Sequence, residues 1–351
     1  MSLKKIAELA GVSPSTVSRV LNNSSSTCAS KEVRDKIFDA ARSIGYQPNE
    51  YARKLKSKSK DSSLQRHVSI VLARIKALDA DPFFYELFRN LEISLYENHT
   101  VIDYVVYAEE KLSRDDPKMK GQHAQKPKDV LTDIARSQGV IILGRCSEKL
   151  LSQIMSLNDN VVGIWRNSMN FNVDEVVCDG KKAAELAMSH LISLGHRNIA
   201  YIGDCSYESR YIGYCNSLIN NHIPMNYEWI KQTDQTGEAG KAAFYELLEH
   251  EHDFSAVFCA NDATAISVLG ILKEEKRKIK RKISVISIDN IEESENTSPF
   301  LTTINIPRGE MAYMAVTLLL DRIAKKHTEL VRIEFPCRIV KRSSCYPIGE
   351  R

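Results

Sequence analysis

Ser15, Thr16, Ser18 and Arg19 share one polar side of a short segment whose other side carries Val17, Val20 and Leu21. Hydroxyls and a guanidinium in that pattern can bond to phosphate oxygens and to base edges in a DNA groove. A second set lies far downstream, where Asp179, Trp165-Arg166, Asn261-Asp262 and Asp289-Asn290 each follow an apolar run and Arg210 opens a helical stretch. Carboxylate and guanidinium forks grip adjacent hydroxyls, and a ring covers an apolar C–H face, so this set suits a polyhydroxylated ligand. Helix capping competes for every Asp and Asn that begins a helix. Capping is the preferred role for Asp179 and Asp262, and ligand contact for Arg210 and Asp289.

The upstream set needs a scaffold, and the surrounding residues supply one. Ile6, Leu9 and Ala10 fall at helical spacing as one apolar face. Gly11 ends that helix, Ser13 offers a hydroxyl N-cap and Pro14 occupies the first helical position, where a missing N–H costs nothing. The result reads as a helix-turn-helix, with an ordinary helical hairpin as the plainer alternative. A third helix is predicted from Ser30 to Ile44, and Asn49 caps a short helix-capable segment that runs to Leu55 before a basic Lys-Ser tail.

Charge separates this head from the rest. The chain carries 48 Lys+Arg and 45 Asp+Glu, a net +3. Residues 1–60 hold 12 Lys+Arg against 5 Asp+Glu, or +7, which leaves 36 against 40, or −4, for the remainder. A basic head on a mildly acidic body fits salt-sensitive phosphate contact through the head. The start shows no apolar signal region and no apolar run of membrane-crossing length follows, so a soluble, cytoplasmic, nucleoid-associated protein is expected. The eight cysteines are scattered without a CxxC pair, so neither a metal site nor a disulfide framework is expected.

From His67 onward apolar strands alternate with amphipathic helices: Val68–Ala73, then Phe83–Tyr96, and so on through Leu301–Ile304 and a helix from Arg308 to Ala324. That rhythm predicts parallel sheets covered on both faces, with ligands held beyond the C-terminal strand ends. No Walker loop, GxGxxG turn after a strand, nucleophile elbow or His-Asp-Ser set stands out, so neither enzymatic activity nor a cofactor is expected. A solute-binding protein is a distant alternative for the body alone.

The head resembles the lactose-repressor/galactose-repressor (LacI/GalR) family of bacterial transcription regulators. The matching pieces are Ile6-Ala7-Glu8-Leu9-Ala10-Gly11-Val12-Ser13, Thr16 through Asn22, Gly45-Tyr46-Gln47-Pro48-Asn49 and Ala52-Arg53-Lys54-Leu55. The body is similar to that family too, through Asp81-Pro82-Phe83-Phe84, Leu194-Gly195-His196-Arg197-Asn198-Ile199, Arg210 with Gly213-Tyr214, Ala260-Asn261-Asp262, Ser284-Val285-Ile286, Ile288-Asp289-Asn290 and Leu301-Thr302-Thr303-Ile304.

This resemblance implies a small all-α helix-turn-helix head, residues 1–48, joined by a hinge helix and linker, 49–63, to an α/β two-lobed periplasmic-binding-protein-like core, 64–351. The N-lobe would take about 64–178 and 291–323, and the C-lobe about 179–290 and 324–346. It also implies a homodimer on near-palindromic double-stranded operator DNA, acting as an allosteric repressor. Ser15 and Arg19 would meet base edges, Thr16 and Ser18 phosphates, with Asn22 and Asn49 in the same interface. Ala52 and Arg53 would enter the minor groove with Leu55 as the wedge at the central step. Phe83, Trp165, Arg210, Gln235, Asn261 and Asp289 would line an effector cleft. A carbohydrate is the expected effector; a purine or nucleoside, or a protein corepressor, is the alternative. Three departures from the family pattern stand out: Pro14 before Ser15, Trp165 where an Asp is usual, and Gln235 where several members place an aromatic. No heptad pattern follows Ser344, so no coiled-coil tetramer is expected.

Overall fold

The computed structural model describes residues 3–22, 29–43, 65–73, 78, 81–108, 134–165, 172–206, 208–249, 253–275, 279 and 282–348. The chain forms two units, a head and a core that begins at Arg66. The expected hinge segment, 49–63, lies outside the described residues.

In the head, α1 (Leu3–Ala10), α2 (Pro14–Asn22) and α3 (Lys31–Ser43) enclose a small core of Ile6, Ala7, Ala10, Val17, Val20, Ile37 and Ala40. Gly11 takes the left-handed conformation, φ +66°, and lets Val12 N–H reach back to Ala7 O at 3.0 Å. Ser13 caps α2 by accepting from Thr16 N at 3.1 Å. One expectation is corrected: Leu9 is 55% exposed, and Ala7 takes the inward place. The helix approaches its neighbours through its small residues, which permit closer backbone approach than a leucine.

The core contains two six-stranded sheets. The first has the order β11-β5-β4-β3-β1-β2, built from β1 (Arg66–Leu72), β2 (Thr100–Tyr107), β3 (Gly139–Leu143), β4 (Val161–Trp165), β5 (Asp174–Val177) and β11 (Arg332–Glu334), all parallel. The second has the order β12-β10-β9-β8-β6-β7, from β6 (Ile199–Gly203), β7 (Ile230–Gln232), β8 (Ala256–Cys259), β9 (Ser284–Asp289), β10 (Thr302–Asn305) and β12 (Arg338–Val340). Only β12, paired with β10, runs antiparallel. Alternate residues of each strand feed opposite faces, as where Ile141 and Leu143 join one apolar cluster and Val140 and Ile142 another. Both faces are therefore covered, which explains the unbroken apolar runs in the sequence.

Ten helices are described, and α4 (Pro82–Glu97), α5 (Glu148–Met155) and α10 (Arg308–Ile323) belong to the first lobe. The second lobe holds α6 (Gly180–Ser193), α7 (Ser209–Asn220), α8 (Gly237–Leu248) and α9 (Asp262–Glu274). The chain passes between lobes after β5, after β10 and after β11. This corrects the expected lobe boundaries. The run 291–305 belongs to the second lobe, because β10 pairs with β9 as a buried central strand, and 324–334 belongs to the first, where β11 pairs with β5.

Candidate functional site

In α2, Ser15 and Arg19 are both exposed and stand one helical turn apart, on the same side. The Ser13 hydroxyl bonds to Ser15 Oγ at 2.7 Å and to Thr16 Oγ1 at 2.8 Å, so the N-terminal turn of this helix presents an ordered hydroxyl cluster. Thr16 is half-buried. The side chains of Ser18 and Asn22 lie outside the described residues, as do Asn49, Ala52, Arg53 and Leu55. With its polar side turned outward over a packed apolar one, α2 has the form required to enter a major groove.

The core brings Arg210, Gln235 and Asn261 together at the C-terminal ends of the second sheet. Arg210 is buried; its Nη1 donates to Ala260 O at 2.7 Å, Nη2 to Gln235 Oε1 at 2.7 Å, and Nε to Glu208. Burial works against its charge, but Glu208 and Asp289 more than offset this and hold the guanidinium pKa above its ordinary value. Gln235 sits at φ +67°, and its carbonyl accepts from Asn261 Nδ2 at 2.8 Å. Asn261 also caps α9 through Thr264 N at 3.1 Å, so its amide serves the scaffold on both sides.

Asp289 is buried at the end of β9, and both it and Asn290 take positive φ, +131° and +54°. Consecutive non-glycine residues in that region are strained, and such strain clusters at ligand sites. What holds the turn is Arg308, which sequence reasoning missed. It donates to Asp289 O and, at 2.8 Å, to Asn290 O; it also pairs with Glu86 Oε2 at 2.8 Å and lies 5.6 Å from the Phe83 ring centre. Glu86 accepts from Glu292 N as well, at 3.1 Å. Glu86, one turn beyond Phe83 on α4, thus meets the second lobe directly. The available signal was positional: Arg308 opens a helix just after a strand and Pro307, and Glu86 falls three residues beyond Phe83.

Two expectations fail. Trp165 is no plate over a cleft; it is buried in an apolar cluster with Cys146, Leu150, Val161 and Val177, its ring folded over Gly163. Residues 161, 163 and 165 share one strand face, and the missing side chain of Gly163 leaves the room. Asp262 is no cap, since Asn261 takes that role. Its buried carboxylate accepts from Ser287 Oγ at 2.5 Å, Thr303 Oγ1 at 2.6 Å and Ile291 N at 2.9 Å. Burial and then the neighbouring Asp289 push its pKa up to about 7, against those three donors. Asp179 does cap α6, accepting from Lys181 N at 2.8 Å and Lys182 N at 3.3 Å.

Among the described residues no cluster of metal-ligating side chains occurs, and no helix is long and apolar enough to cross a membrane.

Fold and site together define a helix-turn-helix protein with a two-lobed α/β core. Residues 2–49 match the model of bacterial regulatory proteins of the lacI family, and residues 188–345 match that of a periplasmic binding protein-like domain. The HTH-type transcriptional repressor PurR of Photorhabdus laumondii is 28% identical over 98% of this chain and 96% of its own length. The structure of a transcriptional regulator CelR–cellobiose complex is 25% identical, with a TM-score of 0.66 over 98% of this chain and 99% of that one. The lac repressor dimer bound to operator and the anti-inducer ONPF shares the fold, at 22% identity and a TM-score of 0.65 over 99% of both chains. The chain thus carries a lacI-type helix-turn-helix domain and a periplasmic binding protein-like domain, and is similar along nearly its whole length to transcriptional repressors built the same way.

Proposed function

We propose that the protein is a transcriptional repressor that binds near-palindromic operator DNA as a homodimer and is switched by a small carbohydrate held between its lobes. The observation that carries the effector reading is the buried Arg210, fixed by three acceptors and acting electrostatically with Asp289 at the strand ends. A guanidinium so pre-organised loses little entropy on gripping a hydroxyl pair, and Asp289 supplies a matching acceptor. With Trp165 in the core and Gln235 polar, the described second-lobe groups offer hydrogen bonds rather than ring stacking, which favours a hydroxylated ligand over a flat base. The likeness of CelR, solved with cellobiose, agrees with this.

Ligand seated against Arg210 and Asp289 touches the turn that Arg308 and Glu86 tie to α4, so its binding energy acts on the relative setting of the lobes. Through that setting it would act on the dimer and its two heads, which would work in the cytoplasm at the nucleoid. Coupling is reciprocal: an effector that weakens operator binding must itself bind the operator-bound form less tightly by the same factor.

A purine or nucleoside effector is the second reading, favoured by likeness along nearly the whole chain to repressors named PurR. A thermal-shift screen against neutral sugars, sugar phosphates, nucleobases and nucleosides decides between the two. The expected result is a rise in Tm with a mono- or oligosaccharide that Asp289→Ala abolishes. A rise with a purine alone overturns the carbohydrate reading.

A further inference from the structure

Two of the three passages between the lobes carry a cysteine, and they lie against each other. Cys178 follows β5 directly, on the way into the second lobe, and Cys337 stands between β11 and β12. The strands β5 and β11 run side by side with Glu334 opposite Val177, and Phe335 N donates to Val177 O at 2.8 Å. Just beyond that bond Cys178 and Cys337 leave neighbouring strands, near enough for the Cys178 thiol to act on Cys337. Cys178 is buried, and Cys337 is half-buried against the same apolar cluster.

The neighbouring thiol, rather than the surrounding charges, favours reaction at Cys337. Lys182, bonded to Glu334 at 2.5 Å and 4.0 Å from Asp179, acts on Cys337 as a cation, while Asp179 opposes it. The Cys178 thiol, and with less weight a backbone hydrogen bond at Cys337 itself, holds the Cys337 thiol below its ordinary range in spite of burial. Burial pushes Cys146, Cys205, Cys215, Cys259 and Cys345 the other way. Thiolate character, accessibility and an adjacent second thiol are the features that make a cysteine oxidisable in a reversible manner.

We propose that Cys178 and Cys337 form a dithiol that a hydroperoxide closes to a disulfide, tying together two of the three interlobe passages. The Cys337 thiolate attacks one peroxide oxygen and the O–O bond breaks. The departing alkoxide takes a proton and leaves as an alcohol, or as water from hydrogen peroxide, and Cys337 becomes a sulfenic acid. Cys178 then attacks that sulfur; its proton goes to the leaving hydroxide, water departs and the S–S bond forms. The two sulfurs lose two electrons and the peroxide gains them. Once formed, the bond stops the two passages from sliding past each other, and a thiol reductant reverses it. The chemistry stands apart from the effector reading above.

The test is hydrogen peroxide treatment of the purified full chain, followed by alkylation, thiol counting after unfolding and peptide mass mapping. The expected result is a fall from eight titratable thiols to six. One linked peptide pair, Cys178 with Cys337, should account for the loss, and dithiothreitol should restore all eight. In Cys178→Ser, Cys337 should stop at the sulfenic acid and be trapped by dimedone. In Cys337→Ser, Cys178 should stay reduced. Cys178 and Cys337 remaining reduced while other thiols oxidise, or a link between any other pair, overturns the proposal.

Discussion

At Asp262 two physical demands meet on one carboxylate. Three donors converge on it, yet it is wholly buried beside Asp289, and the balance lifts its pKa from the ordinary 3.8 to about 7. The folded protein therefore holds a proton that the unfolded chain releases at lower pH. Its contribution to stability is fully present below about pH 4, declines as pH rises from there through about 7, and is absent above. Asp262→Asn, neutral throughout, lacks that dependence. Urea midpoints of the two proteins at pH 5, 6, 7 and 8 should show the wild type losing ground to the variant as pH rises, and a constant gap would contradict the account. Sequence reasoning placed Asp262 beside the site but gave it a cap's role. Asn261 and Asp262 are both able cappers, and which one caps depends on where the helix starts, a boundary that periodicity does not resolve to one residue. Trp165 was readable in principle, since period-two alternation puts it on one face with Val161, above Gly163. Arg308 and Glu86 were not, because their partnership spans more than two hundred positions of sequence and exists only once the lobes are built.

The elements follow local rules more closely. Ser13, Ser147, Asp179, Thr236 and Asn261 each accept from a backbone N–H at a helix start, as the cap preference anticipates. Continuous apolar strands and their parallel order were legible for the same reason, since both sheet faces are covered. Leu9 was misread because apolar character does not choose among helix faces; close approach of α1 through Ala7 and Ala10 does. Allocation of β10 failed too, because a strand's sheet depends on its neighbours and not on its own composition. The turn between α1 and α2 gives a sharp test. Gly11 lies at φ +66° with nothing within 4 Å of where a Cβ would stand, so Gly11→Ala meets backbone strain alone. It should cost about 1 kcal/mol. Amide exchange in α1 should quicken accordingly, by roughly fivefold, while exchange in the core strands stays as in the wild type. An unchanged α1 would show that the turn tolerates a side chain.

As a whole the molecule separates its tasks. Residues 1–60 carry +7, a charge suited to phosphate, while the remainder, at −4, holds the groups proposed to bind an effector. The passages between the lobes run close to the features that matter: Asp179 and Cys178 on the first, Arg308 just after the second, Cys337 on the third. A change of lobe setting must therefore be felt at the Arg308–Glu86 tie, which joins α4 to the strained turn at Asp289. The head is proposed to read a specific DNA sequence. Selection of binding sequences from a randomised duplex pool by the purified full chain tests it most directly. The predicted result is enrichment of one near-palindromic sequence, with affinity that falls steeply as salt rises and enrichment that Arg19→Ala abolishes. Recovery of no sequence above the random pool, even at low salt, would contradict the account.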